Sequence, residues 1–234
     1  MAKDMETRLY KIPDADLKQL ADALAASITR DLSFFSARLI TADNVTRLNS
    51  FATAFDACTT DQELLGAITI ATEVKDDIAV KVRKAIRPIR NMAELAFEGK
   101  GKYNTFGFDE LSKQTDNELY RMAKRIVRVA SQLQNDLATQ GLQQSQITEL
   151  DSLATQLDTA IDGVEAATED RDLHKQERII KGNILWAEMV KLASIGRSLF
   201  EDTNEALYND YVLITNSSEP AQKTIPVEEA KTTN

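Results

Sequence analysis

Val45-Thr46-Arg47-Leu48-Asn49-Ser50-Phe51-Ala52-Thr53-Ala54-Phe55-Asp56 returns 102 residues later as Ile147-Thr148-Glu149-Leu150-Asp151-Ser152-Leu153-Ala154-Thr155-Gln156-Leu157-Asp158. Six of the twelve pairs are identical, and the positions Val45/Ile147, Leu48/Leu150, Phe51/Leu153 and Phe55/Leu157 stay apolar in both copies. Their steps of three and four are those of one helix face. The same offset lays Asp14 on Asp116 and Leu17 on Leu119 without a gap. An offset of 96 lays Ala71-Thr72-Glu73-Val74-Lys75-Asp76 on Ala167-Thr168-Glu169-Asp170-Arg171-Asp172. Self-similarity at a fixed period marks a duplicated supersecondary unit.

Outward from this match, six main helices are expected. The first starts at Pro13-Asp14, where the Asp14 carboxylate can accept from free first-turn N–H groups. Its stripe is Leu17, Ala21, Leu24, Ile28, Leu32, Phe35 and Leu39. The second follows Thr41-Ala42-Asp43 and ends before Cys58-Thr59-Thr60-Asp61. The third covers Gln62 to Phe97, with Pro88 inside it, so a kink or break is expected there because the ring removes a backbone donor. Gly99, Gly101 and Gly107 frame a connector whose Tyr103, Phe106 and Phe108 suggest packing onto the helices. The fourth helix starts at Asp116 and stops at Gly141. The fifth covers Gln143 to Ile161, with a break expected at Asp162-Gly163, and the sixth covers Val164 to Leu207, with Gly182 and Gly196 as places for a bend. The expectation is an all-α, elongated helical bundle formed by tandem duplication of a three-helix unit. Its divisions are a lead-in (1–13), a first repeat (14–98), a connector (99–115), a second repeat (116–208) and a disordered acidic tail (209–234), whose stretch from Asn216 lacks periodicity.

Composition agrees with helix packing. Apolar residues make up 43% of the chain, aromatics only 6%, and the chain holds 8 Gly and 4 Pro, too few for a turn-rich sandwich or barrel. A formal charge of −9 opposes nonspecific binding to nucleic acid or an anionic membrane. With Cys58 as its one cysteine the chain forms no intrachain disulfide, and its charged N-terminus has no following apolar run. A soluble cytoplasmic protein without membrane or nucleic-acid partners is expected.

The run Ala71-Thr72-Glu73, the pair Asp162-Gly163, Gly182-Asn183-Ile184-Leu185 and Asn204-Glu205-Ala206-Leu207-Tyr208-Asn209-Asp210-Tyr211-Val212 resemble a family of all-helical bacterial proteins, over roughly residues 9–213. The resemblance implies a helical fold and carries no activity, cofactor or site residue.

Among residues that could carry chemistry, the repeated Ala-Thr-Glu-x-Lys/Arg-Asp is the sharpest. Ile68, Ala71, Lys75, Ile78 and Val82 form one seam, so Lys75 falls where a core residue belongs. The second row is Val164, Ala167, Arg171, His174 and Arg178. A charge in a core must be paired or bear a large desolvation cost. Glu73, Asp76, Glu169 and Asp172 are the local carboxylates, so Glu73, Lys75, Asp76, Glu169, Arg171, Asp172 and His174 form either a structural ion-pair layer or a ligand pocket. Two basic rows, Arg83, Arg87 and Arg90 on the third helix and Arg121, Arg125 and Arg128 on the fourth, are weaker candidates for anions. No aromatics are interleaved to stack bases. One histidine and one cysteine exclude a Cys/His zinc site, and the Glu-x-x-His pairs of a di-metal bundle are missing. Neither a catalytic residue nor a cofactor is expected. The best-supported expectation is a non-enzymatic interaction or scaffold protein with a protein partner or self-association. The alternative is a small-molecule-binding protein or enzyme with its pocket at the polar layer.

Overall fold

The computed structural model describes residues 7–97, 100–108 and 111–213, and their regular structure is entirely helical. The elements are α1 (Asp14–Arg30), α2 (Leu32–Phe35) with a 3-10 turn (Ser36–Arg38), α3 (Ala42–Asp56), α4 (Asp61–Phe97), α5 (Gly101–Asn104), α6 (Asp116–Gln132), α7 (Gln134–Ala138), α8 (Gln144–Phe200) and α9 (Glu205–Asp210). Local chemistry sets the starts. Thr41 and Asn44 form a capping box on α3, and Thr115 and Glu118 do so on α6. The Glu63 carboxylate accepts from the Thr60 backbone N–H at 2.7 Å ahead of α4, and the Gln146 side chain accepts from the Gln143 N–H at 2.9 Å ahead of α8.

The chain divides into two compact units, one holding residues up to Cys58 and from Glu177 onward, the other Thr59–Gln176. In the first unit, Leu17, Leu24 and Ile28 of α1 and Leu48 and Phe55 of α3 share a core with Leu185, Met189, Leu192 and Phe200 of α8. In the second, Val82, Ile86 and Ile89 of α4 pack with Leu119 and Ile126 of α6 and with Ile147, Leu150 and Leu157 of α8. The expected repeats and the compact units therefore divide the chain differently. The helix that follows the α1–α3 hairpin packs with α6, and the later part of α8 packs with α1 and α3. Matched positions are buried on both sides: Leu17 and Leu119, Leu48 and Leu150, Ala52 and Ala154. At an offset of 103, Ala79, Val82, Ile86, Ile89, Ala93 and Phe97 of α4 align in sequence with Gly182, Leu185, Met189, Leu192, Gly196 and Phe200 of α8, all buried in their own units.

Several expected boundaries move. No break occurs at Asp162-Gly163, and α8 is one helix of 57 residues. One glycine costs about 1 kcal/mol relative to alanine, too little to end a helix packed on both sides of it. α4 likewise passes through Pro88 unbroken. Pro88 and Lys84 are exposed, so water can satisfy the carbonyl that loses its donor. The first helix is shorter than its seam suggests and ends before Asp31, whose buried carboxylate is bonded to its neighbour and to one distant residue. It accepts from Arg30 at 2.9 and 2.7 Å and from the Tyr211 hydroxyl at 2.7 Å. The chain then turns through Leu39, whose φ of 60° is left-handed and whose side chain is exposed. The sixth helix ends at Phe200 rather than Leu207, and Asn204 caps a separate short α9. The expected tail from 209 includes Tyr211, which is fully buried, and the remainder of that tail, residues 214–234, lies outside the described residues. In the connector, Phe106 and Phe108 are buried and stacked with ring centroids 5.0 Å apart.

Two of the glycines expected to bend the last helix serve as seats for aromatic rings. A Cβ on Gly182 would lie 2.4 Å from the Tyr10 hydroxyl oxygen, and one on Gly196 would lie 2.3 Å from the Tyr211 ring. Asn183 completes the first seat, accepting from the Leu9 N–H at 2.8 Å and donating to the Thr7 carbonyl at 2.9 Å. Residues 7–10 and Tyr211 are thus held against the same part of α8.

Gly182→Ala is expected to destabilise by about 1–3 kcal/mol through overpacking against Tyr10. Gly163→Ala, with nothing within 4 Å of the added Cβ, should instead stabilise by about 0.5–1 kcal/mol through helix propensity. Denaturant unfolding of the two variants checks this, and equal effects would refute the seat. A second expectation concerns acid. Arg30, and after it the Tyr211 hydroxyl, hold the Asp31 carboxyl below its ordinary 3.8 against the opposing effect of burial. A depressed carboxylate stabilises above its unfolded value and loses that contribution as pH falls through the folded one. Tyr211→Phe should therefore cost about 1 kcal/mol at neutral pH, with the gap to the parent chain narrowing below about pH 4. Melting curves at stepped pH measure it.

Candidate functional site

The residues of the expected polar layer lie in different surroundings. Glu73, Asp76, Glu169 and Asp172 are exposed. The His174 Nδ1 sits 2.9 Å from the Asp170 carbonyl oxygen, one turn earlier on its own helix, and 3.3 Å from that residue's carboxylate. Arg171 is half-buried with its Nε enclosed and unbonded.

Lys75 does sit at the seam, and it is paired. Its ammonium donates to Asp116, the first residue of α6, and lies 3.0 Å from Asp76. The Asp116 bond first, and the Asp76 bond after it, raise the Lys75 pKa. The first unit holds a matching tie. Arg178 Nε lies 3.2 Å from Asp14, the first residue of α1. Asp14 also accepts from Arg8 at 2.6 Å and from the Tyr10 hydroxyl at 3.0 Å. Each tie brings a cation from a long helix to a carboxylate at a helix start, where the macrodipole favours negative charge. The residue matched to Lys75 is thus Arg178, at the offset of 103 that aligns the buried positions, and not Arg171, at the offset of 96 that aligns the motif. Asp14/Asp116 was visible as a repeated pair, yet only the packed structure shows which cation meets each carboxylate.

Beside Lys75 the second unit opens into a groove of about 460 Å³. Ala71, Val74 and Ile78 of α4 line one wall, and Thr155, Gln156, Thr159, Ala160 and Gly163 of α8 the other. Val74 is 50% exposed, and Ile70, one turn before it, 64%. The missed signal was apolar residues repeating off the core seam: Ile70 and Val74, one turn apart and both exposed, lie beside the seam of Ile68, Ala71, Lys75, Ile78 and Val82. In the matched stretch of α8, the positions of Ala71, Val74 and Ile78 carry His174, Glu177 and Lys181.

The basic rows are separate features. Arg83 donates to the Gln114 carbonyl at 3.2 Å and so serves the start of α6, Arg87 is exposed and Arg90 half-buried. Arg121, Arg125 and Arg128 are exposed along α6 and, with Tyr120 and Lys124, line a polar hollow of about 490 Å³. Lys124 is bound to Asp151 at 2.7 Å and to the Thr155 hydroxyl at 2.9 Å. Cys58 is half-buried, and burial pushes its thiol up, away from a reactive thiolate. Among the described residues no group of His, Cys, Asp and Glu could hold a metal ion, and no helix is long and apolar enough to cross a membrane. No family model matches the chain, and neither does any curated protein or solved structure.

Asp116→Asn is expected to destabilise by about 1–2 kcal/mol, between the values for exposed and buried pairs. Glu73→Gln, on an exposed residue of the same layer, should stay within about 0.5 kcal/mol of the parent chain. Chemical denaturation distinguishes them, and equal costs would show that the layer acts as one network.

Proposed function

We propose that the protein is a non-enzymatic interaction or scaffold protein that works through a helix surface, the α4–α8 groove of the second unit. The observation that carries this reading is the contrast between matched positions. Where the fold places Ala71, Val74 and Ile78, the other long helix has His174, Glu177 and Lys181. The helix therefore forms without apolar residues there, so the exposure of Val74 on α4 is not a demand of the architecture, whereas the half-buried Ile78 also packs against the core. An exposed apolar groove flanked by polar residues is the usual mark of a protein-binding site. The chain on this reading is a duplicated three-helix unit, supported by the buried positions that coincide at offsets of 102 and 103, and one copy of the surface has been altered for binding. The ordinary pairing of Lys75 with Asp116 favours this over a small-molecule pocket at the polar layer, since the cation there is already committed to a structural bond.

A photo-crosslinking residue at position 74 of the full chain is expected to trap a discrete protein adduct in cells. The same residue at position 80, where Val80 is exposed outside the groove, should not. Identical adducts from both positions, or none from either, would count against the groove.

A further inference from the structure

The charge around the groove narrows the partner, and we infer that its occupant is an amphipathic helix of another protein with an apolar stripe flanked by lysine or arginine. This rests on the groove being a protein-binding surface. Over residues 62–78 there are four carboxylates against Lys75, and over residues 155–175 six against Arg171 and Lys175. Lys75 is already engaged by Asp116 and Asp76. Asp77, beside Ile78, and Asp162, beside Gly163, are both exposed. The floor is apolar, and at this end of the α4–α8 seam the exposed charges on both helices are mainly acidic, with Lys81 and Lys84 edging the next hollow along. A helix laid in such a groove buries its apolar face and sets its flanks against these carboxylates, which favours cationic flanks and repels anionic ones.

The same charge argues against the other occupants. Two copies of this groove facing each other would set carboxylates against carboxylates. The chain's own residues 214–234 hold Glu219, Glu228 and Glu229 against Lys223 and Lys231, so they do not supply cationic flanks. The arginine row on α6 belongs to a helix whose apolar side, Leu119, Met122 and Ile126, is already in the core.

The test uses the purified full chain and two labelled synthetic helices of about five turns, roughly 18 residues. They share one leucine stripe and differ only in lysine or glutamate flanks. Fluorescence anisotropy should show saturable binding of the lysine-flanked helix at least about tenfold tighter than the glutamate-flanked one, a difference of about 1.4 kcal/mol. Added salt should narrow that gap. Val74→Gln should weaken the lysine-flanked helix about tenfold without lowering the melting temperature. Asp77→Asn with Asp162→Asn should reduce only the preference between the two peptides. Equal binding of both peptides, lost in Val74→Gln, would overturn the charge assignment and leave the groove standing. Lysine-flanked binding that ignores Val74→Gln would reduce it to nonspecific attraction and overturn both readings, as would binding of neither peptide. Competition by a synthetic 214–234 peptide, or sedimentation of the free chain as a dimer that Val74→Gln dissociates, would make the chain itself the occupant and overturn the inference.

Discussion

An amphipathic helix is stable in water only if its apolar stripe is covered, and in this chain no helical hairpin is covered by the helix that directly follows it. The α1–α3 hairpin obtains its third wall from the later part of α8, and α6 with the first part of α8 obtains its own from α4. Since isolated helices gain most of their stability from such packing, each compact unit depends on segments far apart in sequence. One helix, α8, contributes Leu150 and Leu157 to one core and Leu185 and Leu192 to the other. Continuity through Gly163 follows, because both of its ends are held.

The ends of the first unit are closed by polar and aromatic contacts of high sequence separation. Tyr10 and Tyr211 lie against Gly182 and Gly196, and Asn183 and Asp31 receive the polar groups that come with them. A glycine in a helix costs stability by itself, and here the loss is offset by burial of a ring against bare backbone. Asp31 supplies a polar contact. It lies where α1 ends ahead of Leu32 and Phe35, which still join the same core, and it anchors the Tyr211 hydroxyl.

The charged residues divide by what they touch. Lys75 and Arg178 tie long helices to the first residues of α6 and α1. Arg83 and Lys124 bond neighbouring segments, and Arg121, Arg125 and Arg128 remain at the surface. None of these needs a ligand to explain it. The groove is different, because Val74 exposes apolar surface where the matched position of α8 carries Glu177. Architecture explains the buried residues of α4, and binding is the reason proposed for the exposed ones.

Reading the residues alone was enough for the helical class, most helix starts and the apolar faces, since periods of three and four and hydroxyl or carboxylate caps are local properties. It also exposed the repeated hairpin positions, from Leu17 and Leu119 to Phe55 and Leu157. Breaks were less legible. Gly163 and Pro88 carry helix-breaking chemistry that packing overrides, whereas α1 ends before Asp31, which is bonded to Tyr211, 180 residues away. The cation matched to Lys75 was misjudged because Ala-Thr-Glu-x-Lys/Arg-Asp matches at an offset of 96, while the buried positions align at 103. Periodicity states that a face must be buried and is silent on what buries it. Only the tertiary structure decided that each third helix covers a distant hairpin, and so which apolar residues of α4 were left outside.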